Sequence, residues 1–296
     1  MKKNITSISS ISSKPIIKYR GGKQKELPYF EKYIPTKINT YYEPFLGGGS
    51  VYFYLSPQKA YLADINDNLI HFYNDLKMNF NIVKHELSSL QSIYETNRYN
   101  FEELKKSHPD EHVEDKNDDL YYSIRDMYNG IIPSQYCYAT LYYFINKTAY
   151  SGMIRYNSKG QFNVPYGRYK NFNTSLLTNN HKQLLDRALF NCESYENSFK
   201  LAQNDDFIFL DPPYDTTFSD YGNKKDFGET EHRKLAEDFK QLSAPALMII
   251  ADTPLIHELY SDYIRAIYSK NYSVNIRNRF NSKAIHLVIT NYLPVI

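Results

Sequence analysis

The chain has 296 residues, enough to bury a full core as one large domain or as two that share an interface. A formal net charge of +2 and a pI near 8.2 are only mildly basic, so attraction to a polyanion must come from local patches. Cys137 and Cys192 lie far apart and make neither a disulfide framework nor a zinc pattern, and no apolar run reaches the roughly 18 residues of a membrane span; a reducing cytoplasmic setting, no metal and no membrane partner are expected.

Met1 to Ser13 is rich in serine and isoleucine, lacks a signal-peptide core, and is expected to be a flexible arm. Lys18-Tyr19-Arg20-Gly21-Gly22-Lys23 follows, its two lysines beside a glycine turn. Thr40 to Phe45 reads as a buried strand that runs into Glu43-Pro44-Phe45-Leu46-Gly47-Gly48-Gly49-Ser50. Successive glycines let a backbone turn sharply and approach a nucleotide-like ligand without Cβ obstruction, although a tight structural turn fits as well. A dinucleotide fingerprint starting at Gly47 would need a third glycine where Tyr52 stands. Ala60 to Asp64 reads as the next strand, and it delivers Asp64 where a carboxylate can accept hydrogen bonds from ribose hydroxyls. The other reading of Asp64 is a cap for the helix expected over Asn66 to Met78.

The middle of the chain changes texture. Phe80 to Tyr94, Leu120 to Tyr128 and Tyr138 to Ile145 look helical, whereas Ser107 to Asp119 reads as an acidic, solvated loop. Met153 to Asn157 and Gln161 to Pro165 flank Ser158-Lys159-Gly160, which predicts a hairpin. Ser151 to Lys170 carries Arg155, Lys159, Arg168 and Lys170 without an acid, and Ile264 to Lys283 is likewise basic. Beyond the hairpin, helices are expected over Thr174 to Leu189, Glu231 to Leu242 and Leu255 to Tyr263. Strands are expected over Phe207 to Asp211, Ala246 to Asp252 and Ala284 to Leu293. The alternation predicts an α/β, Rossmann-like doubly wound sheet made of residues 14–75 and 171–296. Residues 76–170 are read as an inserted helical domain carrying the hairpin near 151–169. The thirty tyrosines accompany abundant asparagine, lysine and isoleucine, a bias that would scatter them through core and surface alike.

Asp211-Pro212-Pro213-Tyr214 is the most specific signal. Phe207-Ile208-Phe209-Leu210 would deliver a carboxylate and two rigid prolines to the sheet edge. An aromatic amine is a poor nucleophile because its lone pair is delocalised into the ring. Hydrogen bonds from that amine to the Asp211 carboxylate and the Pro212 carbonyl would favour a pyramidal nitrogen aimed at a methyl sulfonium, with Tyr214 stacked on the base.

With these residues in order, the chain resembles the alpha-group DNA adenine-N6 methyltransferases, the family of the bacterial Dam methylase and of several restriction-modification methylases. The resemblance rests on Lys18 to Lys23, Phe45 to Gly49, Ala63-Asp64-Ile65-Asn66, Asn146 to Tyr169 and Asp211 to Tyr214. It implies a methyltransferase sheet, S-adenosylmethionine as methyl donor, and transfer to an adenine flipped out of duplex DNA. It also implies that Tyr19 contacts the cofactor's adenine where many relatives carry tryptophan, and that Lys23, Phe45, Gly47, Gly49, Asp64 and Asp211 line the cofactor pocket. Asp211, Pro212, Pro213 and Tyr214 would be the catalytic set. DNA would be met by Lys18, by Tyr150 as a stacking wedge, by Arg155 as a guanine reader, by Asn157, and by Met153 and Pro165 beside a thymine methyl. Ser151 stands where relatives usually have asparagine. The hairpin suggests GATC or another site containing GAT. A bacterial or phage-encoded cytoplasmic enzyme is implied, and whether a separate cognate restriction endonuclease accompanies it stays open. Glutamine-directed relatives typically carry Asn, and cytosine-directed ones Ser, in the position of Asp211.

Overall fold

The computed structural model describes residues 13–214, 227–271 and 283–294. Nearly all of the expected N-terminal arm, and residues 272–282 of the second basic run, lie outside the described residues. Two compact units are present: one comprises Met1–Lys14, Gly21–Asp67 and Arg187–Ile296, the other Pro15–Arg20 and Asn68–Asp186.

The first unit is built on a seven-stranded sheet. In chain order its strands are β1 (Tyr41–Glu43), β2 (Ala60–Asp64), β3 (Ala188–Cys192), β4 (Phe207–Leu210), β5 (Ala246–Ala251), β6 (Ile264–Asn271) and β7 (Lys283–Thr290), arranged β3-β2-β1-β4-β5-β7-β6. The first five are parallel, and β7 runs antiparallel between β5 and β6. Every residue of β1 and β4 is buried, as central parallel strands covered on both faces require. The strand order reverses between β1 and β4, and a parallel sheet opens a crevice at the carboxyl ends of such strands. This mixed α/β architecture is consistent with a methyltransferase fold.

Ten α-helices occur among the described residues: α1 (Leu27–Phe30), α2 (Ser50–Leu55), α3 (Asp67–Met78), α4 (Phe80–Ser107), α5 (Lys116–Tyr128), α6 (Tyr138–Thr148), α7 (Asn179–Arg187), α8 (Tyr195–Leu201), α9 (Glu229–Gln241) and α10 (Pro254–Tyr260). None is long and apolar enough to cross a membrane.

Three expectations need correction. The helix expected to reach Leu189 ends at Arg187, and Ala188–Cys192 becomes β3. Leu185 and Leu189 share helical spacing, but Ala188 and Phe190 are buried with Leu189 exposed between them, and pairing with β2 decides the outcome. Helix α4 continues beyond Tyr94 to Ser107, although its last buried residue is Tyr94. Its polar end is braced by pairs such as Arg98–Glu102 at 3.0 Å. Asp115 then caps α5 by accepting the Asn117 N–H at 3.0 Å, so the expected acidic loop is trimmed at both ends, with Ser107 in α4 and Lys116 to Asp119 in α5. Strand β6 falls in the segment that the sequence showed only as a basic run.

Several tyrosines are buried in the second unit among leucine, isoleucine and phenylalanine. The Tyr94 and Tyr166 hydroxyls are hydrogen-bonded at 2.6 Å, and the Tyr121 hydroxyl donates to the Val164 carbonyl at 2.8 Å. The expected hairpin is an antiparallel excursion whose arms meet at isolated bridges, Ala149 with Tyr166 and Tyr156 with Phe162, instead of forming continuous strands. A single 3-10 turn at Tyr150–Gly152, with Ser151 at φ 54°, displaces one arm, and Pro165 in the other has no N–H to donate.

Candidate active site

The carboxyl ends of β1, β2 and β4 carry the residues that the sequence singled out. Gly47 (φ 48°) and Gly49 (φ 62°) both occupy the left-handed region that glycine alone enters without strain. That turn aims the Gly47 N–H at Asp64 Oδ2, 2.9 Å away, while Asp64 Oδ1 accepts the Asn66 N–H at 2.9 Å. The glycine turn and the acid are therefore one unit, and the second contact is a local turn ahead of α3, which starts at Asp67, and not the helix cap that was the alternative for Asp64. Burial raises the Asp64 carboxyl above its usual range, against the amide hydrogen bonds from Gly47, Asn66 and Ile65. A carboxylate has about four acceptor positions, so one remains for a ligand beyond the three amides. Phe45 is half-buried, with its ring 5.8 Å from that of Tyr195 and 5.9 Å from that of Phe227.

Asp211 emerges from β4, and its Oδ2 lies 2.5 Å from the Lys23 ammonium. Lys23 is 1% exposed and Asp211 21%. The lysine is held at both ends: its N–H donates to Ser50 Oγ at 2.9 Å, and its Nζ also donates to the Gly21 carbonyl at 2.8 Å. Burial raises the Asp211 carboxyl, and the charge and hydrogen bond of Lys23 oppose that rise. Oδ1 has no hydrogen-bond partner among the described residues. Pro212 is buried, while Pro213 and Tyr214 are half-buried. The Tyr214 ring lies 5.5 Å from the Lys23 ammonium.

Sequence reasoning missed two buried carboxylates beside this pair. Glu26 accepts hydrogen bonds from Tyr268 at 2.7 Å, Lys270 at 2.6 Å and His286 Nδ1 at 2.6 Å. Burial alone would raise its pKa, but the His286 hydrogen bond, the Lys23 charge and the bonds from Lys270 and Tyr268 bring it down to about 2. Glu43, at the end of β1, is pushed the other way, to about 8, by burial and by the Asp211 charge against its hydrogen bonds from Tyr41 and the Tyr52 N–H. Nothing local in the sequence marks Glu26, whose partners lie on β6 and β7.

The remaining expected residues belong to the second unit. The Asn146 side chain brackets Lys18, accepting its N–H at 2.9 Å and donating to its carbonyl at 2.8 Å. The Lys18 ammonium sits 4.3 Å from the centre of the Tyr169 ring. Tyr19 is half-buried on the same segment. Tyr150 is 55% exposed, Arg155 and Pro165 are exposed, and Met153 is half-buried. Arg155 donates to Asn163 Oδ1 at 2.9 Å and to the Asn163 carbonyl at 3.2 Å. Asn157 organises the tip, accepting the Lys159 and Gln161 N–H groups at 2.9 and 3.0 Å.

Residues 19–276 match the family described as D12 class N6 adenine-specific DNA methyltransferase. The type II methyltransferase M.CviBI of Paramecium bursaria Chlorella virus NC1A is 34% identical over 287 residues, covering 94% of this chain and 100% of that protein. The type II methyltransferase M.MjaIII of Methanocaldococcus jannaschii is 31% identical, covering 94% and 99%. The DNA adenine methylase of Escherichia coli K12 is 29% identical over 84% of each chain. The chain belongs to the D12 class of N6 adenine-specific DNA methyltransferases. It is an enzyme that methylates adenine in DNA, and its family implies S-adenosylmethionine as donor and a flipped target base.

Two outcomes are expected. Gly49→Ala places a Cβ 3.2 Å from the Phe53 ring at a positive φ, so it should lower stability by about 1 to 2 kcal/mol; an unchanged urea midpoint would refute this. Glu43 titrates near 8 in the fold and near 4.5 unfolded, so its stabilisation is complete below about pH 4.5 and is lost as pH rises toward 8. Glu43→Gln should therefore gain on the wild type across that window, and a pH-independent difference between their midpoints would show that Glu43 is ionised in the fold.

Proposed function

We propose that the enzyme is a site-specific methylase in which Asp211 and the Pro212 carbonyl accept the two N–H bonds of the extruded adenine amine. The observation that supports this most is the buried Lys23 ammonium on Asp211 Oδ2, which leaves Oδ1 as an acceptor at the switch point of the sheet. Asp64 would take the ribose hydroxyls of S-adenosylmethionine, with Gly47 and Gly49 letting backbone approach and Phe45 and Lys23 completing the pocket, and Tyr19 is the residue that the resemblance assigns to the cofactor's adenine. The site's chemistry fits, since Asp64 keeps an acceptor position beyond those spent on Gly47, Asn66 and Ile65. Bound, the cofactor supplies an electrophilic methyl group on a sulfonium.

The chain's own residues do the rest. Tyr214 stacks on the base, and unstacking costs a few kcal/mol that such contacts offset. Asp211 and Pro212 fix the amine and concentrate its lone pair on one side, so catalysis rests on positioning and electrostatics, without a covalent enzyme intermediate. The methylated amine is strongly acidic, and water can accept its proton.

The unit made of Pro15–Arg20 and Asn68–Asp186 is our candidate for the inserted recognition domain. Its excursion presents Tyr150 as a wedge and Arg155 to guanine, with Lys18 and Asn157 as further DNA contacts and Met153 and Pro165 against a thymine methyl, in GATC or another GAT-containing site. A cytoplasmic location and, given relatives named as type II methyltransferases, a separate cognate endonuclease complete the reading.

Duplex DNA incubated with the protein and tritiated S-adenosylmethionine should gain label on adenine, and Asp211→Ala should abolish it while the fold survives. Label confined to RNA or protein would sink the proposal. Arg155→Ala should cost about 1 to 3 kcal/mol at one base position; mapped methylation sites identical to the wild type's would remove Arg155 from readout.

A further inference from the structure

Behind Tyr214, the first unit holds a histidine to which neither the family motifs nor the reading above gives a role. His286, on β7, is completely buried. Its ring meets that of Tyr214 edge to face, with centroids 5.3 Å apart and planes at 80°. It also stands 5.7 Å and 70° from the ring of Tyr268. An ionised carboxylate can only accept, so His286 donates its Nδ1 proton to Glu26 Oε2 at 2.6 Å, which fixes both ring orientation and tautomer. Glu26 is in turn held by Tyr268 and Lys270 of β6 and lies three residues from Lys23, the partner of Asp211.

We propose that His286, oriented by Glu26, is a positioning residue that fixes the Tyr214 ring plane against which the extruded adenine stacks. The inference rests on the stacking role of Tyr214 proposed above. Tyr214 follows two prolines at the end of a strand, and Asp211 is already tethered through Lys23. The perpendicular contact with His286 restricts the tilt of the tyrosine ring. Glu26 therefore links the two working parts of the motif: through its charge it favours the Lys23 ammonium that aligns Asp211, and through His286 it sets the ring of Tyr214.

The test uses the full chain and a duplex with 2-aminopurine in place of the mapped target adenine. Emission rises when the base leaves the stack and is quenched when it stacks on tyrosine. Tyr214→Ala should brighten the bound duplex strongly. His286→Asn, which keeps a donor for Glu26 and removes the ring, should brighten it in the same direction. On unmodified DNA it should lower kcat about three- to tenfold, with KM for S-adenosylmethionine unchanged. His286→Phe, which keeps a ring, should stay nearer the wild type. Wild-type emission and kcat in His286→Asn overturn the proposal, as does a parallel loss of cofactor affinity, which would mark a merely structural role. If His286→Asn does not fold, His286→Phe against His286→Leu decides by the same readouts, and equal losses in the two refute the inference. An unaffected Tyr214→Ala would remove the stacking role itself; an impaired Tyr214→Ala beside a normal His286→Asn would remove only the role of His286.

Discussion

Everything at this site is arranged around one buried ion pair, Lys23 with Asp211. A lysine at 1% exposure has given up nearly all its hydration, and a single carboxylate at 2.5 Å is weak evidence of net stabilisation. What such a pair does provide is position. The ammonium is fixed by the Gly21 carbonyl and Asp211 together, and the Lys23 N–H by Ser50 at the start of α2. The segment ahead of the first helix, the glycine turn and the end of β4 are thereby locked in one register, although they are far apart in the chain. Asp211 can then present one oxygen in a constant direction, as the role proposed for it, orienting the lone pair of an amine, requires.

The parts of this arrangement that were legible in the sequence are those where function and local conformation coincide. Gly47 and Gly49 show as glycines because positive φ demands them, and Asp64 shows because it ends a strand. Asp211-Pro212-Pro213-Tyr214 is contiguous, so chemistry and spacing are read together. The central strands are legible for a related reason: a fully buried parallel strand is an unbroken apolar run. Edge strands are not. Strand β3 alternates buried and exposed residues at a spacing that also fits a helix, and only its pairing with β2 resolves the ambiguity. In β6, Ile267 is exposed beside buried Tyr268, and the basic character of the segment hides that alternation.

Glu26 and His286 were invisible for a different reason, since they are 260 residues apart and each looks ordinary in its own window. A glutamate just before a helix reads as surface, and a histidine inside an apolar strand reads as a core residue with a local partner. Long-range pairing turns both into parts of the site. Phe45 shows the converse: a motif position that the sequence assigns to a ligand is already packed against the rings of Tyr195 and Phe227.

The three carboxylates around Lys23 also explain how so much charge can be buried together. Glu26 is ionised because Lys270, Tyr268 and His286 all converge on it, and Lys23 adds a second positive charge nearby. Glu43 has no cation in contact among the described residues and accepts only from the Tyr41 hydroxyl and the Tyr52 amide, both at Oε2, so at neutral pH burial leaves it predominantly protonated. Two ammonium groups thus stand against two carboxylates, Glu26 and Asp211, and the third acid remains neutral. Were Glu43 ionised as well, its repulsion would raise Asp211 further and weaken the acceptor proposed for the amine, because like charges in a dry site cannot all persist. The neutrality of Glu43 is therefore a condition for keeping Asp211 charged at the mouth of the site.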